Sequence, residues 1–367
     1  NGTVSAQDDG NGNRTTFSYD DAGNMTQMAE PGPIGSMSFT YDTLSRVTSV
    51  TDGNGTRLDY AYDRLDRVVA ISHEGDVLES FEYDANGRQL ATHTDQASTA
   101  FTFNARGDLR ESVRTDSADE ETTAYDYDAV GNLTEFTEHG RTTTYTYDEA
   151  FRLTDLVDFT GAQTTFSYDS NNQRTSIAHP DGAEESRSYD ASGRLTDITT
   201  TGADDQTLVE ASYTWDTTDG DDSTQLQSRT VNGEAETFTY DGLQRLTGNG
   251  EVDYTYDDAG NLLTSGEEEF SYNDADQPTS ARGEDVAHDE AGNMTGRGEY
   301  VYEYSVTNQN TRIDDGEGDL ATSLSYDTTD QTQMRGITDV LDGERIDRQL
   351  SNTALGVTNI ASDGERT

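Results

Sequence analysis

An all-β fold of tandem hairpins is the class this sequence predicts, and three observations predict it. A Tyr-Asp pair recurs along the 367 residues at a nearly fixed step. Aromatic residues alternate with polar ones just before each pair, and a short Gly-containing turn follows it. Nothing reads as a long amphipathic helix, and Pro occurs only 4 times. A fixed period of this length is the mark of one supersecondary unit copied many times. The expected form is a spiralling, curved, hollow sheet, a β-shell with no sizeable globular core.

The clean copies read Tyr19-Asp-Asp-Ala-Gly-Asn-Met-Thr, Tyr83-Asp-Ala-Asn-Gly-Arg-Gln-Leu, Tyr127-Asp-Ala-Val-Gly-Asn-Leu-Thr and Tyr189-Asp-Ala-Ser-Gly-Arg-Leu-Thr. From the N-terminus the slot is filled by Tyr19, Tyr41, Tyr62, Tyr83, Phe103, Tyr127, Tyr147, Tyr168 and Tyr189, in steps of 20 to 24 residues. Trp215 and Tyr240 follow at steps of 26 and 25. Tyr240, Tyr256, Tyr272, His288 and Tyr304 are each 16 apart, and Tyr326-Asp327 is the last recognisable copy. The chain therefore divides into long-period hairpins over 1–214, an irregular repeat over 215–239, short-period hairpins over 240–310 and divergent repeats over 311–367.

Each unit has the same internal logic. An aromatic two residues before the slot, as at Phe17, Phe39, Tyr60 and Tyr125, shares one strand face with the Tyr. The next residue opens a turn whose backbone N–H groups its carboxylate can accept. That role falls to Asp20, Asp42, Asp63, Asp84, Asp128, Asp148, Asp169, Asp190, Asp241 and Asp257. Four residues after the Tyr, Gly23, Gly87, Gly131, Gly193 and Gly260 supply a positive φ. Met25, Val47, Leu133, Leu153, Leu195 and Leu246 then begin the return strand, each followed by a strand-favouring Thr. The opposite ends carry their own turn signals at Asp52-Gly53-Asn54-Gly55, His73-Glu74-Gly75, His139-Gly140, Thr160-Gly161 and Asp181-Gly182.

Size supports a wall rather than a solid. About fifteen hairpins give about thirty strands and a sheet about 140 Å wide. Open twisted sheets rarely exceed about ten strands without curling. Rolled once, this width gives a diameter near ~45 Å, far wider than side chains fill. Strands of about seven residues should shorten to about five once the period drops to 16 near Tyr240, narrowing the wall there.

Composition excludes several functions. Hydrophobic residues make up only 31%, too few for a thick core, yet 20 Tyr and 11 Phe at periodic positions are unlike a disordered acidic chain. The formal charge is −50 and all 23 basic residues are Arg. No basic patch exists to neutralise phosphates, so nucleic acid is not an expected partner. The acid is spread evenly, as in adaptation to molar salt, where self-repulsion is screened; the composition resembles that of haloarchaeal proteins. With no Cys there is neither a disulfide framework nor a thiolate metal site. No apolar run is long enough to span a membrane, and no basic-plus-apolar leader is present. A start on Asn1-Gly2-Thr3-Val4, without Met and already repeat-like, is expected of a piece of something longer.

Candidate chemistry reduces to structure at most positions. Asp8-Asp9-Gly10-Asn11-Gly12-Asn13 and Asp314-Asp315-Gly316-Glu317-Gly318-Asp319 loosely resemble calcium loops but lack the EF-hand spacing. Asx-capped turns explain them, with at most weak cation association. Arg46, Arg67, Arg88, Arg152, Arg194 and Arg245 recur five residues after the Tyr; pairing with a neighbouring repeat's acid in a cross-strand ladder is favoured over a basic binding row. The Tyr rows are expected to stack hairpin on hairpin rather than bind sugars. Trp215 and His288 occupy Tyr slots. His73, His93, His139, His179 and His288 show no paired spacing, and no nucleophile elbow, P-loop or dinucleotide fingerprint occurs. No catalytic residue, cofactor or metal site is assigned.

The pattern Tyr-Asp-x-x-Gly-(Arg/Asn)-Leu-Thr closely resembles the YD repeat of the Rhs family, related to toxin-complex shell subunits and teneurins. The resemblance covers roughly 14–330. It implies a secreted or cell-surface shell that encloses or presents a C-terminal toxin or effector polypeptide. The Asp-Pro-x-Gly-Leu segment that closes the shell in the toxin members is not found, so no cleavage or capping residue carries over. Two alternatives stay open: an adhesive or filament-forming extracellular protein whose partners are other copies of the same chain, and a carbohydrate-binding surface.

Overall fold

The computed structural model describes residues 2–117, 120–217, 219–326, 334–341, 344–352 and 358–362. Asp327, the last repeat aspartate, lies outside them. Every regular element among the described residues is a β-strand, 36 in number. No described helix is long and apolar enough to cross a membrane.

Neighbouring strands pair antiparallel, hairpin after hairpin. Arg14–Tyr19 pairs with Met25–Ala29, Met37–Tyr41 with Val47–Thr51, and Arg57–Tyr62 with Val68–His73. Successive hairpins join by the same means, as where Val47–Thr51 pairs with Arg57–Tyr62. The return strands begin at Met25, Val47, Leu133, Leu153, Leu195 and Leu246, where the aliphatic residue re-enters the ladder. The strands fall into sheets of 22, 2 and 12 members. Alternation sets the faces: in Arg14–Tyr19 the Thr, Phe and Tyr are half-buried while Arg, Thr and Ser are exposed.

Burial is thin. The buried apolar residues described are Ala91, Ala97, Tyr125, Ile177, Ala211 and Ile346. Six scattered side chains do not make a globular core, so stability comes from ladder bonds and half-buried rows. Strands hold 5 to 8 residues from Arg14–Tyr19 through Thr207–Thr214. They hold 2 to 5 from Ser228–Val231 through Asn310–Asp314, so the shortening begins inside the irregular repeat. Leu320–Tyr326 returns to 7.

Two compact units result. One comprises Asn1–Thr102, Ser112–Glu121 and Tyr256–Thr367, the other Phe103–Glu111 and Thr122–Thr255. In the first, turns of the early hairpins seat against turns of the short-period hairpins. Contact is backbone to backbone. A Cβ on Gly10 would lie 1.8 Å from the Asp258 carbonyl oxygen, and one on Gly53 would lie 1.8 Å from that of Glu290. Gly35 donates its N–H to the same Glu290 oxygen at 2.7 Å. Gly10, Gly35 and Gly53 are therefore glycines because of close approach.

Candidate functional site: the turn ladder

The repeated turn is the molecule's concentrated chemistry, and its geometry follows from a few side chains. In the turn from Asp42 to Arg46, the Asp42 N–H donates to the Arg46 carbonyl and the Ser45 N–H to the Asp42 carbonyl, each at 3.0 Å. Asp42 Oδ1 accepts the backbone N–H groups of Leu44 at 2.8 Å and Arg46 at 3.0 Å. Asp42 Oδ2 accepts Arg46 Nε at 2.7 Å. Asp63–Arg67, Asp84–Arg88, Asp148–Arg152, Asp190–Arg194 and Asp241–Arg245 repeat this clamp. Where Asn replaces Arg its amide takes over, as in Asp20–Asn24, Asp128–Asn132 and Asp257–Asn261. After Phe103 the roles invert: Asn104 caps the turn and its amide donates to Asp108. Asp169 accepts the N–H groups of Asn171 and Gln173 in the same way.

The fourth residue after the Tyr is left-handed in every such turn. Gly23, Gly87, Gly131, Gly193 and Gly260 have φ of 89°, 88°, 108°, 82° and 99°. Phe151 takes this conformation at φ 62° while 60% exposed. A left-handed residue with a Cβ costs roughly 1–2 kcal/mol, and an exposed ring offsets little of it. Phe151→Gly should therefore stabilise the protein by about 0.5–1 kcal/mol after the greater chain entropy of Gly is subtracted. Urea titration checks this, and a lower midpoint would show that the ring packs productively.

Between hairpins the Tyr acts through its hydroxyl. Tyr41 donates to the Met25 carbonyl at 2.6 Å, Tyr62 to Val47 at 2.7 Å and Tyr83 to Val68 at 2.8 Å. Tyr147, Tyr168, Tyr189 and Tyr240 reach the carbonyls of Leu133, Leu153, Arg174 and Leu226 at 2.7 to 2.9 Å. Tyr19 donates to Val4 in the same sense. Trp215 confirms the requirement, since its Nε1 donates to the Leu195 carbonyl at 2.8 Å. At these positions the slot holds a flat ring with a donor at its far end, while Phe103 fills it with a ring that has none. His288 fills the slot opposite Met294, and burial lowers its imidazole.

Two expectations are corrected here. Among the described residues the Tyr meets the preceding hairpin through its hydroxyl rather than by a Tyr–Tyr stack, and the ring pair described is Tyr125 with Phe136, tilted, at 5.5 Å. The stacking partner is Arg. Arg46 lies over Tyr62 at 4.8 Å, Arg67 over Tyr83 at 4.7 Å and Arg152 over Tyr168 at 4.8 Å, with Arg194 over Trp215 at 5.4 Å. Nor is the Arg row chiefly a cross-strand acid ladder. Each Arg clamps its own turn's Asp, and three of them also reach forward to the next turn's backbone. Arg46, Arg67 and Arg152 Nη1 donate to the carbonyls of Asp63, Asp84 and Asp169. A neighbouring repeat's acid is met by Arg46 at Asp66 and by Arg194 at Asp222. A planar guanidinium serves all three contacts at once, which a point-charge ammonium could not.

The Thr after each return-strand aliphatic has a role the sequence hid. Pairing runs Thr40↔Ser49 then Tyr41↔Val47, so Thr48 forms a bulge. Its hydroxyl bonds Thr40 Oγ1 at 2.8 Å, and Thr247 bonds Thr239 Oγ1 at 3.0 Å. In the calcium-like loops the aspartate caps its own turn: Asp9 Oδ1 accepts Asn13 N–H, and Asp315 Oδ1 accepts the N–H groups of Glu317 and Asp319.

Ionisation follows the bonds. The Arg46 backbone N–H and then its guanidinium hold the Asp42 carboxyl below the usual carboxylate range, and Arg152 does the same for Asp148. Burial pushes the phenols of Tyr41, Tyr83, Tyr147 and Tyr240 up, so they stay protonated and able to donate. A depressed carboxyl stabilises the fold in full above its unfolded value of about 3.9 and loses that stabilisation as pH falls through the folded value. Thermal melts at constant salt should be level from pH 7 to about 5 and fall steeply below about 4. A melting temperature unchanged down to pH 2.5 would contradict the capping role.

Hairpins whose turns are self-capped by Asp and tied to the preceding hairpin by Tyr define a YD-repeat shell segment. The teneurin YD-shell family model matches residues 3–179, 116–215 and 204–340, and the chain belongs to that family. No curated protein matches the sequence. Among solved structures it is similar to TcdB2-TccC3-TEV, at TM-score 0.74 and 14% identity over 96% of this chain and 23% of that one. It is also similar to the Photorhabdus luminescens Tc holotoxin pore with a mutated TccC3, at TM-score 0.70 and 13% identity over 96% of this chain and 24% of that one. TcdB2-TccC3 itself gives TM-score 0.61 and 13% identity over 98% and 26%. The chain thus spans about a quarter of the length of these structures, and the likeness is one of fold.

Proposed function

We propose that the chain is a non-catalytic length of wall in a secreted or cell-surface protein from a salt-adapted source, and that the wall encloses or presents a C-terminal toxin or effector polypeptide. One observation carries this reading: the turn ladder uses Tyr, Asp and Arg, the chain's chemically versatile side chains, to join one hairpin to the next. Tyr41 and Arg46 illustrate it, each bonded to a different neighbouring hairpin. Such a sheet grows in one direction without filling its own concave side, which suits a container. Its partner is then a polypeptide rather than nucleic acid, given the charge of −50. The Asp-rich turns suit no more than weak cation association.

Limited proteolysis of the full-length protein tests enclosure. The expected result is a C-terminal polypeptide that survives protease while the wall is folded and is cut once the wall is unfolded. Equal cutting rates in both states would overturn the reading.

A second reading, an adhesive or filament-forming extracellular protein, is favoured by one feature. Leu44, Leu65 and Leu243 sit at the tips of YD turns and are 66%, 64% and 73% exposed. Apolar tips on so acidic a chain would suit contact with other copies.

A further inference from the structure

The first unit contains two chemically different kinds of turn-to-turn junction. Along the ladder, consecutive turns are bridged by a cation, as where Arg46 meets the Asp63 carbonyl and Asp66 and where Arg67 meets the Asp84 carbonyl. The seam between the early turns and the short-period turns is bridged by neutral amides. Asn11 Nδ2 donates to Asp257 Oδ2 at 2.9 Å and Asn54 Nδ2 to Asp289 Oδ2 at 2.9 Å. Asn54 Oδ1 accepts the Ala291 N–H at 3.1 Å, and Asn308 Nδ2 reaches Asp52 at 3.5 Å.

The sequence carries the same switch. The position that holds Arg in the turns ending at Arg46, Arg67 and Arg88, and in the first short-period turn at Arg245, holds Asn261, Gln277, Asn293 and Gln309 in the four short-period turns that follow, as it holds Asn24 in the first hairpin. These still bridge forward, Asn261 to Asp276 at 2.6 Å and Asn293 to Asn308 at 2.9 Å, but without charge. Removing the guanidinium makes room for backbone contact at Gly10 and Gly53. It also leaves a contact between two acidic strips, with Asp52, Asp257, Asp258, Asp274, Asp289 and Glu290 along it, and the seam bonds described run through Asn side chains and backbone. Arg14 and Arg57, which flank the early turns, are paired with Asp8 and Asp59. An open groove of about 280 Å³, lined by Asp9, Asp274 and Asp276, borders these strips, so dissolved ions reach the carboxylates.

We propose that this seam is a salt-dependent latch: dissolved cations hold it closed by screening, and it parts at low ionic strength while the Arg-bridged ladder stays folded. The Debye length is about 3 Å at 1 M and about 10 Å at 0.1 M, so repulsion between strips in van der Waals contact is muted only at high salt. The ladder differs at Asp42, Asp63 and Asp84, whose carboxylates carry their own Arg. The latch stands on turn geometry and holds whatever the wall encloses.

Hydrogen exchange on the unmodified full chain is the test, because the Gly35 N–H bonds across the seam to the Glu290 carbonyl, whereas the Ala291 N–H is shared between Asn54 and its own turn's Asp289. Between 3 M and 0.1 M NaCl the exchange of the Gly35 N–H should quicken about tenfold, with the N–H of Arg46 and Arg67, which bond within the ladder, little changed. The double variant Asp258→Asn/Glu290→Gln should shift closure to lower salt, and sucrose at matched water activity should not substitute for NaCl. Seam and ladder amides responding alike, no response at all, or closure by sucrose would each overturn the latch.

Discussion

Replacing Tyr41, Tyr62 and Tyr83 together by Phe should destabilise the protein by about 3 kcal/mol while leaving every ring in place. Each substitution removes one O–H···O=C bond to the preceding hairpin, from 2.6 to 2.8 Å long and half-buried. A typical net value is about 1 kcal/mol per bond, and loss of a donor to a half-buried carbonyl falls at or above that figure. Successive hydroxyls sit two strands apart, roughly 9.6 Å, far enough for the three effects to add. Arg46 and Arg67 would still lie over the Phe rings at positions 62 and 83, so the experiment isolates the hydroxyl from the stacking. In a repeat array the interface term between neighbours sets cooperativity. The urea transition should therefore broaden as its midpoint falls. An unchanged midpoint would mean that ring burial alone holds the hairpins together and that the donor is incidental.

Gly53→Ala should cost more than Gly55→Ala, although only Gly55 needs glycine for its backbone angle. Gly55 has φ 84° with nothing within 4 Å of a Cβ built there, so alanine pays the left-handed cost of about 1–2 kcal/mol and no more. At Gly53 the new methyl would lie 1.8 Å from the Glu290 carbonyl oxygen and 3.0 Å from Gly35 Cα. Both neighbours are backbone and cannot rotate away. Overpacking of this kind costs typically 1–3 kcal/mol and sometimes more, and here the route to relief is parting the seam. Hydrogen exchange should then show the Gly35 N–H exposed in Gly53→Ala and protected in Gly55→Ala. The reverse order would show that the backbone contact does not govern the seam.

Local chemistry made much of this fold legible beforehand. Strand period, the Asp cap and the glycine slot all act within five residues, so the sequence displays them side by side. The Tyr hydroxyl was legible as a position and misread as a stacking group, because its acceptor is a main-chain carbonyl 14 to 16 residues earlier in the long-period repeats. A carbonyl has no side-chain signature. Trp215 was the available clue, being the other aromatic with a donor at its rim. The Arg was read as reaching across strands, yet its nearest acid is its own turn's Asp four residues before it. The seam was hidden for a different reason: Asn11 and Asp257 are 246 residues apart, and only the folded path brings them together. Two marks of it stood in the sequence, the Asn and Gln in place of Arg in the short-period turns after Arg245 and the glycines at 10 and 53.

Electron cryo-microscopy of the purified full-length protein in molar salt tests the central claim most directly. A wall segment that encloses polypeptide predicts discrete closed particles, a sheet of YD hairpins around the outside and density for the remaining polypeptide within. Helical polymers or open ribbons, with that polypeptide outside the sheet, would contradict it.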